Sequence, residues 1–249
     1  MDSRADSPGR DVAGLLSVVV PVRDEAQNVQ PLFEALARDV RSNAEFLLVF
    51  DTDDDPTVAQ ARLRAGELPG PLRLIKNDLG RGPANALRAG FNAARGDAVV
   101  VVMADLSDEL TIVDAMLERL RAGCDLVVGS RYMRGGKQIG GPVLKRTLSR
   151  LAGASLFLWG LPTHDATNAF KMYRASLLRA IPIQGGGGFE ISMEMTIKAW
   201  LAGANICEMP ATWTDRVAGK SKFRLMKWLP KYLHWYFYAL RGRLSRTKR

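Results

Sequence analysis

Apolar and acidic residues alternate in blocks along this chain. Residues 15–22, LLSVVVPV, make an apolar run of strand length that stops at Pro21, and Arg23, Asp24 and Glu25 follow in a loop leading to a helix from about Asn28. The run AEFLLVFD at 44–51 repeats the arrangement, ending in Asp51 with Asp53, Asp54 and Asp55 directly behind it. A helix through the low sixties, Gly and Pro punctuation at 66–71 and a third strand at 72–77 come next. They lead into LGRGPANALRAGFNAARG, a glycine-rich turn that opens a helix of small residues. The most informative stretch is 96–109, GDAVVVVMADLSDE, where a β-branched strand gives way at once to Asp105, Ser107, Asp108 and Glu109.

A helix over about 110–123 and a fifth strand at 124–132 continue the alternation, which predicts βαβ units and a mostly parallel sheet. Beyond Arg131 the pattern loosens. RGGKQIGGP reads as a glycine-rich loop, and 143–160 as an apolar helix carrying Lys145, Arg146, Ser149 and Arg150. DATNAFKMYR at 165–174 fits a short strand before a helix. The GGGG at 185–188 reads as a hinge for a mobile lid, followed by a helix over about 189–202 and a late strand in ICEMPATWTDR. The expected organisation is a loose tail over 1–13, one large domain over 14–222 and a basic, aromatic, amphipathic C-terminal helix and tail over 223–249.

Composition narrows the picture. The 249 residues are 47% hydrophobic, enough for a full core, and no apolar run reaches the ~18 residues of a membrane span. The start, MDSRADSPGRD, has no signal-peptide core. Cys124 and Cys207 lie far apart in apolar contexts, with neither a disulfide framework nor metal-ligand spacing, so a reduced, cytoplasmic compartment is expected. The formal charge of +9 is concentrated at one end: from Arg216 onward there are eleven Lys and Arg and no Asp or Glu. A local excess of that kind points to a polyanionic surface. Nucleic acid is not expected, because the basic residues are confined to the tail and no recognition module is present. Trp228, Tyr232, Trp235 and Tyr236 recur there at helical spacing between cations, which suits a membrane interface. The alternative is that this stripe packs on the rest of the chain or on a second copy in a homodimer.

Acidic residues just past the carboxyl ends of parallel strands lie at the mouth of a pocket, and carboxylates are what a hard cation takes together with substrate phosphates. The tip at 105–109 therefore reads as a metal-diphosphate site, against the plainer reading of a loop capping the next helix. Gly80 and Gly82 allow a close approach to phosphate, but their spacing fits neither a dinucleotide nor a Walker motif.

The ordered set VVVPVRDE, the acids at 51–55, the MAD tip, VVGSRY, DATNAFK and DRVAGKSK resembles the family 2 glycosyltransferases of GT-A type, closest to the dolichol-phosphate mannose synthase branch of polyprenyl-phosphate glycosyltransferases. The resemblance runs from about Leu15 to Lys222. It implies a Rossmann-like, three-layer α/β fold with a mostly parallel central sheet and a C-terminal amphipathic helix. It also implies an inverting transfer of a sugar from a nucleotide-diphosphate sugar, GDP-mannose or a UDP-sugar, to a polyprenyl or dolichyl phosphate, with Mg²⁺ or Mn²⁺ as cofactor, at the cytoplasmic face of a membrane.

By the same resemblance Pro21, Asp24, Glu25 and Asp51 flank the nucleotide, with Asp53, Gly80 and Arg81 beside them. Asp105 matches the second acid of the DxD motif, while Met103 replaces the first, so Asp105 would hold the cation with help from Ser107 or Asp108. Arg131 matches a residue near the transferring phosphates, and Lys145 and Ser149 an Arg and Ser that hold the acceptor phosphate; lysine keeps the charge but loses the bidentate fork. Asp165, Asn168 and Lys171 fall on a segment usually written with Ser, Gly and Arg, marking a divergent branch. Arg216 and Lys222 fall on the loop that folds over the donor diphosphate. An acceptor phosphate is already anionic, so no base is required, and His164 and His234 are expected to be structural. Were the acceptor a saccharide hydroxyl, Glu190 and Glu194 would be the candidate bases. A catalytically silent nucleotide-binding relative is the other alternative, with Met103 as its argument.

Overall fold

The computed structural model describes residues 14–185, 188–215 and 225–247. The expected tail over 1–13, two glycines of the tract, and Arg216 and Lys222 lie outside the described residues.

In chain order the elements are β1 (Leu16–Pro21), α1 (Val29–Asp39), β2 (Ala44–Phe50), α2 (Pro56–Leu63), β3 (Leu72–Lys76), α3 (Pro83–Ala93), β4 (Ala98–Val101), α4 (Val113–Arg121) and β5 (Leu126–Ser130). They continue with β6 (Lys137–Ile139), α5 (Val143–Leu158), β7 (Lys171–Arg174), α6 (Ala175–Ala180), α7 (Ile191–Ala202), β8 (Ile206–Pro210), β9 (Thr212–Thr214) and α8 (Leu225–Thr247). A seven-stranded sheet runs β3-β2-β1-β4-β7-β5-β8, parallel throughout except for β7, which is antiparallel to both neighbours. Its strands are near-continuous apolar runs because both faces are covered. Val18 and Val20 point into one core with α1 and α4, and Val19 into the other with α3 and α7, as the two-residue period of a strand requires. On α1, Val29, Leu32, Phe33 and Leu36 form the buried stripe. Against β1, α3 lies so close that a Cβ on Gly90 would come within 2.4 Å of Val19 Cγ1.

Two expectations change. The loop RGGKQIGGP contains β6, which pairs with β9 in a separate two-stranded sheet, and the late strand divides between the two sheets. Strands of three residues with partners far along the chain leave little local periodicity to read, and the break falls at Pro210, which cannot donate to a ladder. The cysteines were expected unpaired in a reduced compartment; they form a disulfide instead, with Cα atoms 5.9 Å apart. Cys124 leads into β5 and Cys207 lies on β8, its parallel neighbour, so sheet order brings together residues 83 positions apart. The cysteines accordingly give no support to a reduced compartment.

Candidate functional site

Because β1, β2, β4 and β5 are parallel, the segments after them emerge along one edge of the sheet, where a cleft of about 1500 Å³ opens. Pro21, Glu25, Asp51, Arg81, Met103, Asp105, Ser107, Asp108, Arg131, Lys145 and Ser149 all line it; Asp24, Asp53 and Gly80 do not.

The part of the cleft beyond β1 and β2 is built from tied loops. Asp24 has a left-handed backbone, φ 57°, and its N–H donates to Asp55 Oδ2 at 3.0 Å, while the Glu25 N–H donates to Thr57 Oγ1 at 2.9 Å. Asp55, through its other oxygen, caps α2 at Thr57 N. One acid of the 51–55 cluster is thus a brace. Asp53 pairs with Lys76 at the surface. Asp51 accepts from Asn77 Nδ2 at 2.7 Å and from Gly82 N at 3.3 Å, which fixes the glycine turn against the tip of β2.

At the β4 tip, Asp105 Oδ1 accepts the Ser107 N–H at 3.2 Å, and Leu106 takes φ 58°, which turns the chain back toward the cleft. The small sheet holds this turn: Thr214 N donates to Ser107 O at 2.9 Å, Asp108 bridges to Trp213, and Thr212 N donates to Glu109 Oε2 at 2.8 Å. Burial first, and then the neighbouring Asp105, push the Asp108 carboxyl up to about 7. Asp108 Oδ2 is buried with no hydrogen-bond donor.

After β5, Arg131 donates from Nε to Asp165 Oδ2 at 2.7 Å and from Nη2 to Asp165 Oδ1 at 2.8 Å, with Nη2 also 3.0 Å from Thr167 Oγ1 and 3.4 Å from Ser149 Oγ. Burial pushes the Asp165 carboxyl up, but Arg131 outweighs it and holds the group below its usual range. Behind this pair Lys171 is fully buried, its Nζ donating to the Ala166 carbonyl at 3.0 Å, the Asn168 carbonyl and the Ser192 hydroxyl at 2.5 Å. Burial brings its ammonium down to about 7, against the pull of Asp165.

A family model for glycosyl transferase family 2 matches residues 17–181. The chain belongs to that family. It is 30% identical over 240 residues to the polyprenol monophosphomannose synthase of Mycolicibacterium smegmatis, covering 93% of this chain and 89% of that one. It is 33% identical over 212 residues to the undecaprenyl-phosphate mannosyltransferase of Micrococcus luteus, covering 82% and 85%. Against the dolichol-phosphate mannosyltransferase of Pyrococcus furiosus, at 27% identity, the match covers 86% of this chain but only 64% of the relative's length. Among solved structures, glucosyl-3-phosphoglycerate synthase from Mycobacterium tuberculosis, crystallised with Mn²⁺, UDP-glucose and phosphoglyceric acid, superposes with TM-score 0.67 at 17% identity, covering 94% of this chain and 80% of the other. The fold is thus of the GT-A type, with the family 2 region carrying the whole β4 tip.

Other features of this family 2 chain depend on contacts that motif reading does not supply. Trp228, Tyr232 and Tyr236 of α8 form one wall of the cleft, with Tyr232 Oη donating to the Phe189 carbonyl and Tyr236 hydrogen-bonded to Ser155, each at 3.0 Å. On the buried side of the same helix, Trp235 and Ala239 join the core over α7. Glu190 and Glu194 lie outside the cleft lining. Glu194 is occupied by the Gln184 and Gly185 amides, at 2.5 and 2.7 Å, and by Lys198 at 2.6 Å; Glu190 lies 3.5 Å from Lys231. Among the described residues no cluster of three or more His, Cys, Asp or Glu forms a metal cage. The donors that do fit a hard cation are the Asp105 and Asp108 carboxylates and the Ser107 hydroxyl, which line the cleft side by side in sequence.

Proposed function

We propose that this protein moves a sugar from a nucleotide-diphosphate sugar, GDP-mannose or a UDP-sugar, to a polyprenyl phosphate, with inversion at the anomeric carbon and with Mg²⁺ or Mn²⁺ bound at the β4 tip. The observation that carries the reading is that one cleft is lined both by a buried acidic tip and by Lys145 and Ser149 on a helix whose Leu148 and Leu151 also line it. That combination suits a diphosphate donor and an acceptor that is both anionic and greasy.

In this reading Asp51 and Glu25 take hydrogen bonds from the nucleoside, and Arg81 approaches its phosphates. Lys145 and Ser149 hold the acceptor phosphate, and Arg131, anchored by Asp165, keeps Ser149 and Thr167 in place for it. Arg216 and Lys222, outside the described residues, would close over the diphosphate. An acceptor phosphate oxygen forms the new bond to the anomeric carbon as the bond to the nucleoside diphosphate breaks; the attacking group is already ionised, so no side chain need remove a proton. The cation, when bound, neutralises charge on the departing diphosphate. Catalysis is then positioning and charge stabilisation. The occupied state of Glu194 and the position of Glu190 outside the cleft favour a phosphate acceptor over a saccharide hydroxyl.

The surface supports association with a membrane. Val143, Leu144, Leu151 and Leu158 of α5 and Leu233 and Phe237 of α8 are exposed, Leu158 by 85%, on the two helices that frame the acceptor end. Among the described residues no helix is long and apolar enough to cross a membrane; the attachment proposed here is peripheral, through these exposed apolar side chains. Use of a nucleotide sugar, a cytosolic metabolite, favours the cytoplasmic face.

The test is incubation of the purified protein with a panel of nucleotide sugars and a short polyprenyl phosphate, with and without EDTA. Glycolipid should form with at least one donor, require a divalent ion, and be nearly abolished in Asp105→Asn. Full activity of that variant would overturn the site.

A further inference from the structure

The β4 tip presents an imbalance that the family motif does not explain. Met103 occupies the position of the first acid and lines the cleft. Its thioether is a soft donor with no attraction for Mg²⁺ or Mn²⁺, which take oxygen. Asp105 is left without its usual companion on the strand, yet a second carboxylate is present on the other side of the turn. Asp108 lies only 8% exposed in the same cleft, and its Oδ2 is buried with no donor in reach.

The Asp108 carboxyl takes one hydrogen bond, from the Met103 backbone N–H, but a buried carboxylate oxygen left with no donor is still costly, and an ion that completes it is one reason such an atom persists in a native structure. The nearby cations do not supply the missing partner. Arg131 spends its Nε and Nη2 on Asp165, Ser149 and Thr167, and Lys171 directs its ammonium at the Ala166 and Asn168 carbonyls and at Ser192. The turn is also fixed from behind by the small sheet, through Ser107, Asp108 and Glu109, so Asp108 is not free to swing into solvent for relief.

We infer that Asp108 is the second carboxylate ligand of the divalent cation, taking over in this chain the role vacated at Met103. The acid has moved from before Asp105 to after it, and the left-handed turn at Leu106 brings it back to the cleft. This rests on the proposed metal-assisted transfer, and it assigns the companion ligand to Asp108 rather than to the Ser107 hydroxyl.

The experiment measures Mn²⁺ binding by loss of the free-ion electron paramagnetic resonance signal, with Mn²⁺ alone and again with UDP or GDP added. It compares wild type, Asp108→Asn, Asp105→Asn, Ser107→Ala and the double variant Met103→Asp/Asp108→Asn. Asp108→Asn should lower Mn²⁺ affinity about 10- to 100-fold, the scale on which even outer-shell partners of metal ligands act. Ser107→Ala should change it far less, and the double variant should regain most of the loss. Asn has the shape of Asp without the buried charge, and circular dichroism and thermal unfolding verify that each variant is folded. If Asp108→Asn misfolds, Asp108→Ser and Met103→Asp/Asp108→Ser carry the same comparison. Unchanged Mn²⁺ affinity in Asp108→Asn alongside loss in Asp105→Asn would overturn the assignment of Asp108 while leaving the proposed function intact. Unchanged affinity in both would overturn the cation site altogether.

Discussion

Asp165 receives the Arg131 guanidinium with both of its oxygens, across 34 residues of sequence, and Asp165 is fully buried while the Arg131 side chain keeps 9% exposure at the cleft. The pair joins the end of β5 to the loop before β7, and through Thr167 and Ser149 it reaches α5. A positive group lining the cleft is therefore a structural joint as well as part of its wall.

Replacing Asp165 by Asn leaves that guanidinium buried and uncompensated, which costs about 3–5 kcal/mol when one partner of a buried pair is removed. We expect Asp165→Asn to lower the urea midpoint accordingly and to reduce sugar transfer by displacing Ser149. A loss below about 1 kcal/mol would mean that the pair is dispensable to the fold.

Lys171 gives stability a pH dependence of definite sign. Its folded-state value of about 7 lies below the ordinary 10.5, so between those limits the unfolded chain holds a proton that the folded chain has released. This group therefore adds stability as pH rises through that window, and its penalty is greatest below it. Lys171→Met removes the titration. Urea unfolding of both proteins from pH 6.5 to 9.5 should show wild type gaining on the variant with rising pH; a constant difference would refute the buried, depressed ammonium.

The two faces of α8 should respond differently. Trp235 is 4% exposed in the core over α7, and Trp235→Ala should cost about 3–5 kcal/mol. Phe237 is 52% exposed, and Phe237→Ser should shift stability by no more than about 0.5 kcal/mol while weakening sedimentation with anionic liposomes. Combined with Leu158→Ser on α5, the loss of liposome binding should deepen. Undiminished sedimentation in the double variant would remove these helices from the membrane interface.

The chain alone determined the parallel part of the fold and its acidic edge. Each of β1, β2, β4 and β5 is an apolar run long enough to be read locally, and the residue types just past each run follow directly from where it stops. Only the tertiary structure decided which residues meet across that edge. The antiparallel insertion of β7 between β4 and β5 sets Lys171 behind Arg131 and Asp165, and the pairing of β5 with β8 brings Cys124 to Cys207. The packing of α8 against α7 settles which aromatics are core and which face outward. These outcomes depend on strand order and on contacts between distant segments, and no periodicity within one segment encodes a partner that lies in another. The same reason separates Asp55, Asp53 and Asp51: three neighbouring acids of one composition become a helix cap, a surface ion pair and a cleft wall once the chain has folded around them.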